Sequence, residues 1–323
     1  MLIRFTILLS AFLAASCAEV QAEDTPKPDI PIVSSGEIVW WPDFAPAEAV
    51  GVDNIWIWLP PSYASQPGKR FPVLYMHDAE NLFDRRLSNF DKEWGMDEAI
   101  TRMAARGDLR EWILVGLSSP ENRYQTLFPQ KLFGLLPESY QQGVTGIEMG
   151  GIEAGFPLRG DEYAKVVAVD LKAKIDSEFR TLTTPEDTAV MGSSMGGLIS
   201  LYIIAEYPDV FGQAAGVSTH LPLTGPEGGD PDERATQVSE AFRQYFSESE
   251  INPARNRIYV DHGTGTLDAF YPPYFKQFDG MMAELGWQLP AYESRVFFGA
   301  EHEENAWAQR VDIPLSFLDA KDP

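Results

Sequence analysis

The sequence predicts an α/β fold, a mostly parallel central sheet with helices on both faces, and three observations carry that expectation. Eight strand-like runs recur after residue 36, and helix-like segments separate the later ones. A glycine-pinched passage from an apolar strand-like run into an apolar helix-like run sits at residues 192–196. Early strands that follow one another as hairpin-like neighbours, then strands alternating with helices, are the pattern of a parallel sheet that must be covered on both sides.

Taken in chain order, residues 1–22 open with Arg4, run apolar from Phe5 to Ala15 and pass into small residues, which is the pattern of a secretory signal peptide. The run is too short for a permanent bilayer span, so no membrane span is expected. Val20-Gln-Ala22 offers a cleavage site before Glu23. Ala15-Ser16-Cys17 offers a rival at which Cys17 would carry a lipid, with Ala14 where leucine is more usual. An exported protein, periplasmic or secreted, is the expectation. Residues 23–35, polar and bearing Pro26, Pro28 and Pro31, read as a flexible tether. Residues 36–323 read as a single catalytic domain, long enough to bury a full core.

Strands are expected at 37–41, 54–59, 72–76, 112–117, 188–191, 213–217, 257–260 and 294–298, where β-branched, aromatic and other apolar residues cluster between turn formers. Helices are expected at 97–106, 163–179, 198–207, 237–246, 273–285 and 304–318. Tyr207-Pro208 ends the third helix, and Pro314 is expected to kink the last. Two stretches read as long connections, 128–160 and 221–234. The first is a lid insertion with Leu135, Leu136, Ile147, Met149 and Phe156 as its apolar residues, or else a disordered insertion.

A formal charge of −23 repels nucleic-acid phosphates and anionic membranes, so neither is an expected partner. The charge survives loss of the leader, where Arg4 and Glu19 cancel. Cys17 is the sole cysteine, which excludes an intramolecular disulfide, a cysteine nucleophile and a thiolate metal site.

Gly192-Ser193-Ser194-Met195-Gly196 fits G-x-S-x-G between strand and helix, the setting in which a sharp turn lifts one hydroxyl clear of a sheet. Ser194 is therefore the candidate nucleophile. Serine needs an adjacent base, and the base needs a carboxylate to hold its ring. In such a sheet the order along the chain is serine, then acid, then histidine. Of four histidines, His77 precedes Ser194, His220 follows the next strand with no strand-end acid between, and His262 directly follows Asp261. His302, in the loop after the last strand, satisfies both order and position. Asp261 at a strand end and Asp268 in the loop beyond it compete for the acid, with Asp268 far enough out to reach a neighbouring strand end. An oxyanion hole needs two fixed backbone donors. Met195 supplies one, and Ala79 or Glu80, in the loop after 72–76, the other.

With those residues placed, the chain resembles the putative-esterase (esterase D-like) family of the α/β-hydrolase superfamily over residues 53–318. The marks are Leu74-Tyr-Met-His-Asp-Ala-Glu-Asn-Leu-Phe83, Glu93-Trp-Gly-Met-Asp97, Asn122-Arg123, Gly192-Ser-Ser-Met-Gly-Gly197, Asp261-His-Gly-Thr264 with Asp268, and Gly299-Ala-Glu-His302 followed by Trp307 and Arg310. The resemblance implies an α/β-hydrolase fold, a triad of Ser194, Asp268 and His302, and Trp94 and Arg123 as substrate-binding residues. It implies a serine esterase without cofactor, acting on small-molecule, carbohydrate or siderophore esters. Relatives often carry glycine and glutamine where Ala79 and Glu80 stand, which puts an anion near the oxyanion site unless its side chain turns away. Relatives also carry Arg-x-x-Glu-Tyr-x-Pro where this chain reads Arg123-Tyr-Gln-Thr-Leu-Phe-Pro129, so the acyl and alcohol parts of the substrate stay open.

Two alternatives stand beside hydrolysis: acyl transfer to a sugar or other alcohol, and a non-catalytic carbohydrate-binding protein using Trp40, Trp41, Trp56 and Trp58. The tryptophan spacing fits strand faces packed on a core. No metal is expected, since His302-Glu-Glu-Asn-Ala306 lacks the second histidine of H-E-x-x-H. No phosphate loop or dinucleotide fingerprint occurs, and oligomeric state is not specified.

Overall fold

Side chains that alternate across a strand must find two cores, and here they do. In β2 (Ile55–Leu59), Ile55, Ile57 and Leu59 join one buried cluster while Trp56 and Trp58 join another on the opposite face. In β3 (Val73–Met76), Val73 and Tyr75 face the first cluster and Leu74 and Met76 the second. The computed structural model describes residues 30–88, 90–146, 157–226 and 229–319.

The remaining strands are β1 (Glu37–Trp41), β4 (Ile113–Leu117), β5 (Thr188–Ser193), β6 (Gln213–Val217), β7 (Arg257–Gly263) and β8 (Tyr292–Phe297). They form one eight-stranded sheet in the order β1-β2-β4-β3-β5-β6-β7-β8. β1 with β2 and β2 with β4 are antiparallel, and every other pair is parallel. All eight expected runs are strands, and the fold class is the expected one. The carboxyl ends of the parallel strands β3 to β8 lie along one rim, where an open α/β sheet places its ligands.

The helix Met195–Glu206 lies against β5 and β6 with every residue from Met195 to Ala205 buried. Met96–Arg106 and Asp312–Asp319 cover the other face. Three expected helices differ in detail, and the one expected at 237–246 runs from Pro231 to Glu248, so it starts inside the expected connection 221–234. The run 163–179 starts earlier and carries a π-helical middle: Gly160–Lys165, Val166–Leu171 and Lys172–Glu178 follow one another without a gap. The run 304–318 breaks into Glu304–Ala308 and Asp312–Asp319, so that Arg310 in the gap turns inward to Asp261. Pro314 does not cause the break. It sits in the first turn of the second piece, where its missing N–H costs nothing.

The expected connection 128–160 begins with structure of its own. Gln130–Phe133 and Glu138–Gly146 are helices, and Leu132, Leu136, Tyr140 and Val144 are buried in the first cluster with Leu135 half-buried against it. Leu136 is thus a core residue rather than part of a lid, while Ile147, Met149 and Phe156 lie outside the described residues. Leu221 and Leu223 in the second connection are likewise fully buried.

Of the expected tether, residues 30–35 are fastened to the body. The amide of Ile32 donates to Asp84 (2.8 Å), and the amide and hydroxyl of Ser34 donate to Asp97 (2.7 and 2.8 Å). The Trp58 indole donates to the Ser35 carbonyl (2.7 Å). Buried carboxylates need donors, and this extended stretch supplies them. Residues 1–29 lie outside the described residues, among which no helix is long and apolar enough to cross a membrane.

Burial, reinforced by Glu98, lifts the Asp97 carboxyl from 3.8 to about 6, against the pull of Ser34. The fold therefore binds this proton more tightly than the unfolded chain does. The stability it contributes is complete below the unfolded value and is lost as pH rises to about 6. Asp97→Asn keeps an acceptor for Ser34 without a titrating group, so its melting temperature should fall less steeply than that of the native chain as pH rises from 4 to 6.

Candidate active site

The turn after β5 is too tight for anything but glycine on either side. A Cβ on Gly192 would stand 2.6 Å from the Gly196 backbone, and one on Gly196 would stand 3.2 Å from an Asp78 carboxylate oxygen. Ser194 between them takes φ 54° and ψ −119°, a conformation that costs an L-residue on the order of 1–3 kcal/mol. Two bonds hold it there: its amide donates to the Val217 carbonyl (3.0 Å), and its carbonyl accepts from the His220 amide (3.2 Å). Among the described residues, no backbone carbonyl accepts the amide of Met195 or Ala79. Met195 opens the buried helix, where the dipole adds to the donor's pull on a negative charge.

His302 lies in the loop after β8, its amide fixed by the Thr266 hydroxyl (2.8 Å). Its Nδ1 stands 2.6 Å from Asp268 Oδ1, and its ring meets Trp307 edge-on at 5.2 Å. Asp268 lies in the turn Thr266–Phe270 after β7 and is fully buried. Its Oδ2 accepts from the Ser218 hydroxyl (2.6 Å) and the Gly263 amide (2.5 Å). Burial alone would raise its pKa, but the bond and charge of His302, with Ser218 and Gly263, outweigh burial and hold the carboxyl below the ordinary range. Ser194 and His302 line one cavity of about 450 Å³, together with Glu80, Ser119, Arg123 and Trp307.

Asp261 is turned away from every histidine. It accepts from Arg310 (2.9 Å), the Ser218 amide (2.9 Å) and the Tyr259 hydroxyl (2.9 Å), and both it and Arg310 are buried. Arg310 Nη2 and the Trp307 indole also donate to Ser218 Oγ, at 2.9 Å each. Ser218 thus passes its one hydroxyl hydrogen to Asp268 while two donors fix its oxygen. Tyr271, three residues after Asp268, stands between His302 and His220. Its ring meets His302 edge-on at 5.9 Å, and its hydroxyl is 2.8 Å from His220 Nδ1. No motif marks Ser218 or Tyr271. Their only signal is position, at the carboxyl end of a parallel strand and one turn beyond the acid.

The other histidines are walled in. His77 binds the Tyr163 hydroxyl (2.7 Å), and burial lowers its pKa to about 4. Burial lowers His220 to about 3, and His262 packs on Phe275 at 4.3 Å. Among the expected substrate-binding residues, Arg123 lines the cavity but spends its fork on Asp78, with Nε and Nη2 each 2.7 Å from a carboxylate oxygen. Trp94 does not line it. It is buried behind Trp307 at 5.6 Å, with its amide on the Asn81 carbonyl (2.8 Å). The Glu80 carboxyl is engaged by Ser119, whose amide donates to it at 3.0 Å. Trp56 and Trp58 are core residues, as strand-face spacing implies.

The family described as "Putative esterase" matches residues 53–313. The chain is 25% identical over 162 residues to "Uncharacterized protein YbbA" of Bacillus subtilis (strain 168), a match that spans 50% of this chain and about half, 54%, of that relative's length. Among solved structures it is similar to an IroE-like serine hydrolase from Shewanella oneidensis (TM-score 0.63, 15% identity, 88% of this chain and 82% of that one). It is also similar to a ferulic acid esterase (TM-score 0.59, 17% identity, 88% and 98%) and to the enterobactin esterase FES from Shigella flexneri (TM-score 0.54, 15% identity, 90% and 60%). These likenesses place the chain in the α/β-hydrolase fold.

Removing one partner of the buried Asp261–Arg310 pair leaves a charge without water or counterion. Arg310→Met should cost about 3–5 kcal/mol in urea unfolding, and adding Asp261→Asn should recover part of that loss.

Proposed function

The chain belongs to the putative-esterase family, and on that premise we propose that it hydrolyses carboxylic esters through an acyl-enzyme formed on Ser194. The observation that carries the reading is the pairing of His302 with the sealed, ionised Asp268 in a cavity that also exposes the strained Ser194. The Ser194 hydroxyl adds to the ester carbonyl carbon as His302 Nε2 takes its proton. The imidazolium that forms is held by Asp268, and its proton then passes to the leaving alcohol oxygen as the C–O bond breaks. Water, deprotonated by the same nitrogen, releases the acid. The negative oxygen of each tetrahedral intermediate is received by the amides of Met195 and Ala79, worth roughly 2.7–4 kcal/mol per donor. The Glu80 amide is the alternative to that of Ala79 as the second donor.

Phe90, 69% exposed, and Trp307 line the cavity and offer apolar ring faces, which suits an ester with an aryl acyl group. The names of the similar structures, a ferulic acid and an enterobactin esterase, agree with that choice. The leader-like residues 1–22 support export, and the amino-terminal residue of the mature protein reads it directly: Glu23 for secretion, a lipidated Cys17 for an anchor.

Ser194→Ala should abolish turnover of p-nitrophenyl acetate or butyrate and block labelling by a fluorophosphonate probe while the melting temperature holds. Asp268→Asn should lower kcat by about 10⁴ by releasing the imidazole tautomer. Full turnover in the serine variant rejects the assignment. A panel of short acyl, feruloyl, acetyl-sugar and siderophore esters, run with and without an alcohol acceptor, reads the substrate and separates hydrolysis from acyl transfer.

A further inference from the structure

A hydroxyl carries one hydrogen, and Ser119 is asked to satisfy two carboxyl groups with it. Its Oγ stands 2.6 Å from Asp78 Oδ1 and also within hydrogen-bonding contact of Glu80 Oε1. Its amide is committed separately, to Glu80 Oε2 at 3.0 Å. With both carboxyls ionised, one of the two oxygen–oxygen contacts would have no proton between its lone pairs, at the half-buried wall of the cavity. A second proton is required, and Arg123 decides where it sits. Its bidentate grip on both oxygens of Asp78 favours the anion there, whereas Glu80 has no lysine or arginine nitrogen within 4 Å among the described residues.

We propose that Glu80 works as a neutral acid, donating its proton to Ser119 Oγ, which in turn donates to Asp78, and that loss of this proton stops turnover. The idea rests on the esterase reading of Ser194. Neutral, Glu80 leaves the charge near the oxyanion donors unchanged and acts there much as a glutamine would. Ionised, it sets a second anion against Asp78 one residue from the Ala79 amide, where the negative tetrahedral oxygen is to form, and the two carboxylates contend for one hydroxyl. Burial and the charge of Asp78 both oppose that ionisation and push the Glu80 carboxyl above its ordinary range. The other charged or titratable groups facing it are Arg123 and Tyr163 behind the turn, and Lys92, His302, Glu303 and Glu304 across the cavity. Lys92 is already paired with Glu303 at 2.9 Å and leaves Glu80 uncompensated. Glu80 is a positioning residue on this account, since it acts through Ser119 and the charge it withholds.

The test is the pH dependence of kcat/KM on a soluble ester for the native chain and for Glu80→Gln, each normalised to its own maximum, with melting temperatures taken across the same range. On the alkaline side the native chain should lose activity by about tenfold per pH unit beyond the Glu80 midpoint, while Glu80→Gln stays level there. An alkaline fall common to both, or none in the native chain while it remains folded, overturns the proposal. Infrared difference spectra provide a reading that needs no turnover and no variant at position 80. With ¹³C-glutamate labelling, Ser194→Ala should show a neutral carboxyl at neutral pH that ionises at the midpoint of the native activity loss. Finding every glutamate ionised at neutral pH rejects the Glu80 proton. Residual turnover in Ser194→Ala would instead reject the esterase reading and leave the carboxyl titration standing.

Discussion

A carboxylate shut away from water must be given donors by the protein, and Asp268 is the place where this chain meets that demand most completely. His302, Ser218 and Gly263 each bring it a hydrogen, from three different strand ends. Those donors need holding in turn. Trp307 and Arg310 close on the oxygen of Ser218, Arg310 rests on Asp261, and Asp261 sits near the carboxyl end of β7, beside β6, the strand that leads to Ser218 itself. The break in the last helix follows from the same demand, because a continuous helix through residues 309–311 would carry Arg310 away from the strand ends. The orientation of the imidazole is thus set by a chain of buried hydrogen bonds rather than by the loop on which it rides.

Backbone strain is concentrated at the same rim. Asp78, Ser194, Ser218 and Thr266 all take positive φ without being glycine, and each lies in a turn just beyond the carboxyl end of a strand. Conformations that cost energy persist only where the surroundings over-determine them, and here a sheet buried on both faces does so. β5 is fully buried from Thr188 to Ser193, and the helix that follows is buried through Ala205. The hydrophobic core therefore supplies the stability that the strained turns consume.

Much of this was legible in the sequence. The alternation of apolar residues in β2 and β3 and the run Thr188-Ala-Val-Met191 gave the strands. The glycines at 192 and 196 gave the turn, because close backbone approach leaves a compositional mark. His302 was legible because a known order along the chain narrows four histidines to one. Less was legible where a contact joins residues far apart without a periodic signal. Leu136 looked like part of an insertion because the helices 130–133 and 138–146 are short and glycine-flanked. Trp94 looked like a cleft residue because a motif records proximity, not which layer of a wall a ring occupies. Residues 30–35 looked like a tether because their partners, Asp84 and Asp97, lie more than fifty positions away. Glu80 was legible as an acid beside the expected oxyanion donors, but its sharing of Ser119 with Asp78 had no signal, since hydrogen counting needs coordinates.

The fastening of residues 30–35 fixes a direction. The strand of backbone that meets Asp84 and Asp97 arrives beside the loop carrying Phe90 and Lys92, which borders the cavity. Asp319 instead binds Arg110 ahead of β4, at the far end of the strands. Ile30, the first described residue, thus lies on the side of the body that carries the cavity. A carrier attached beyond residue 319 would stand at the opposite pole and leave the approach of substrate unobstructed.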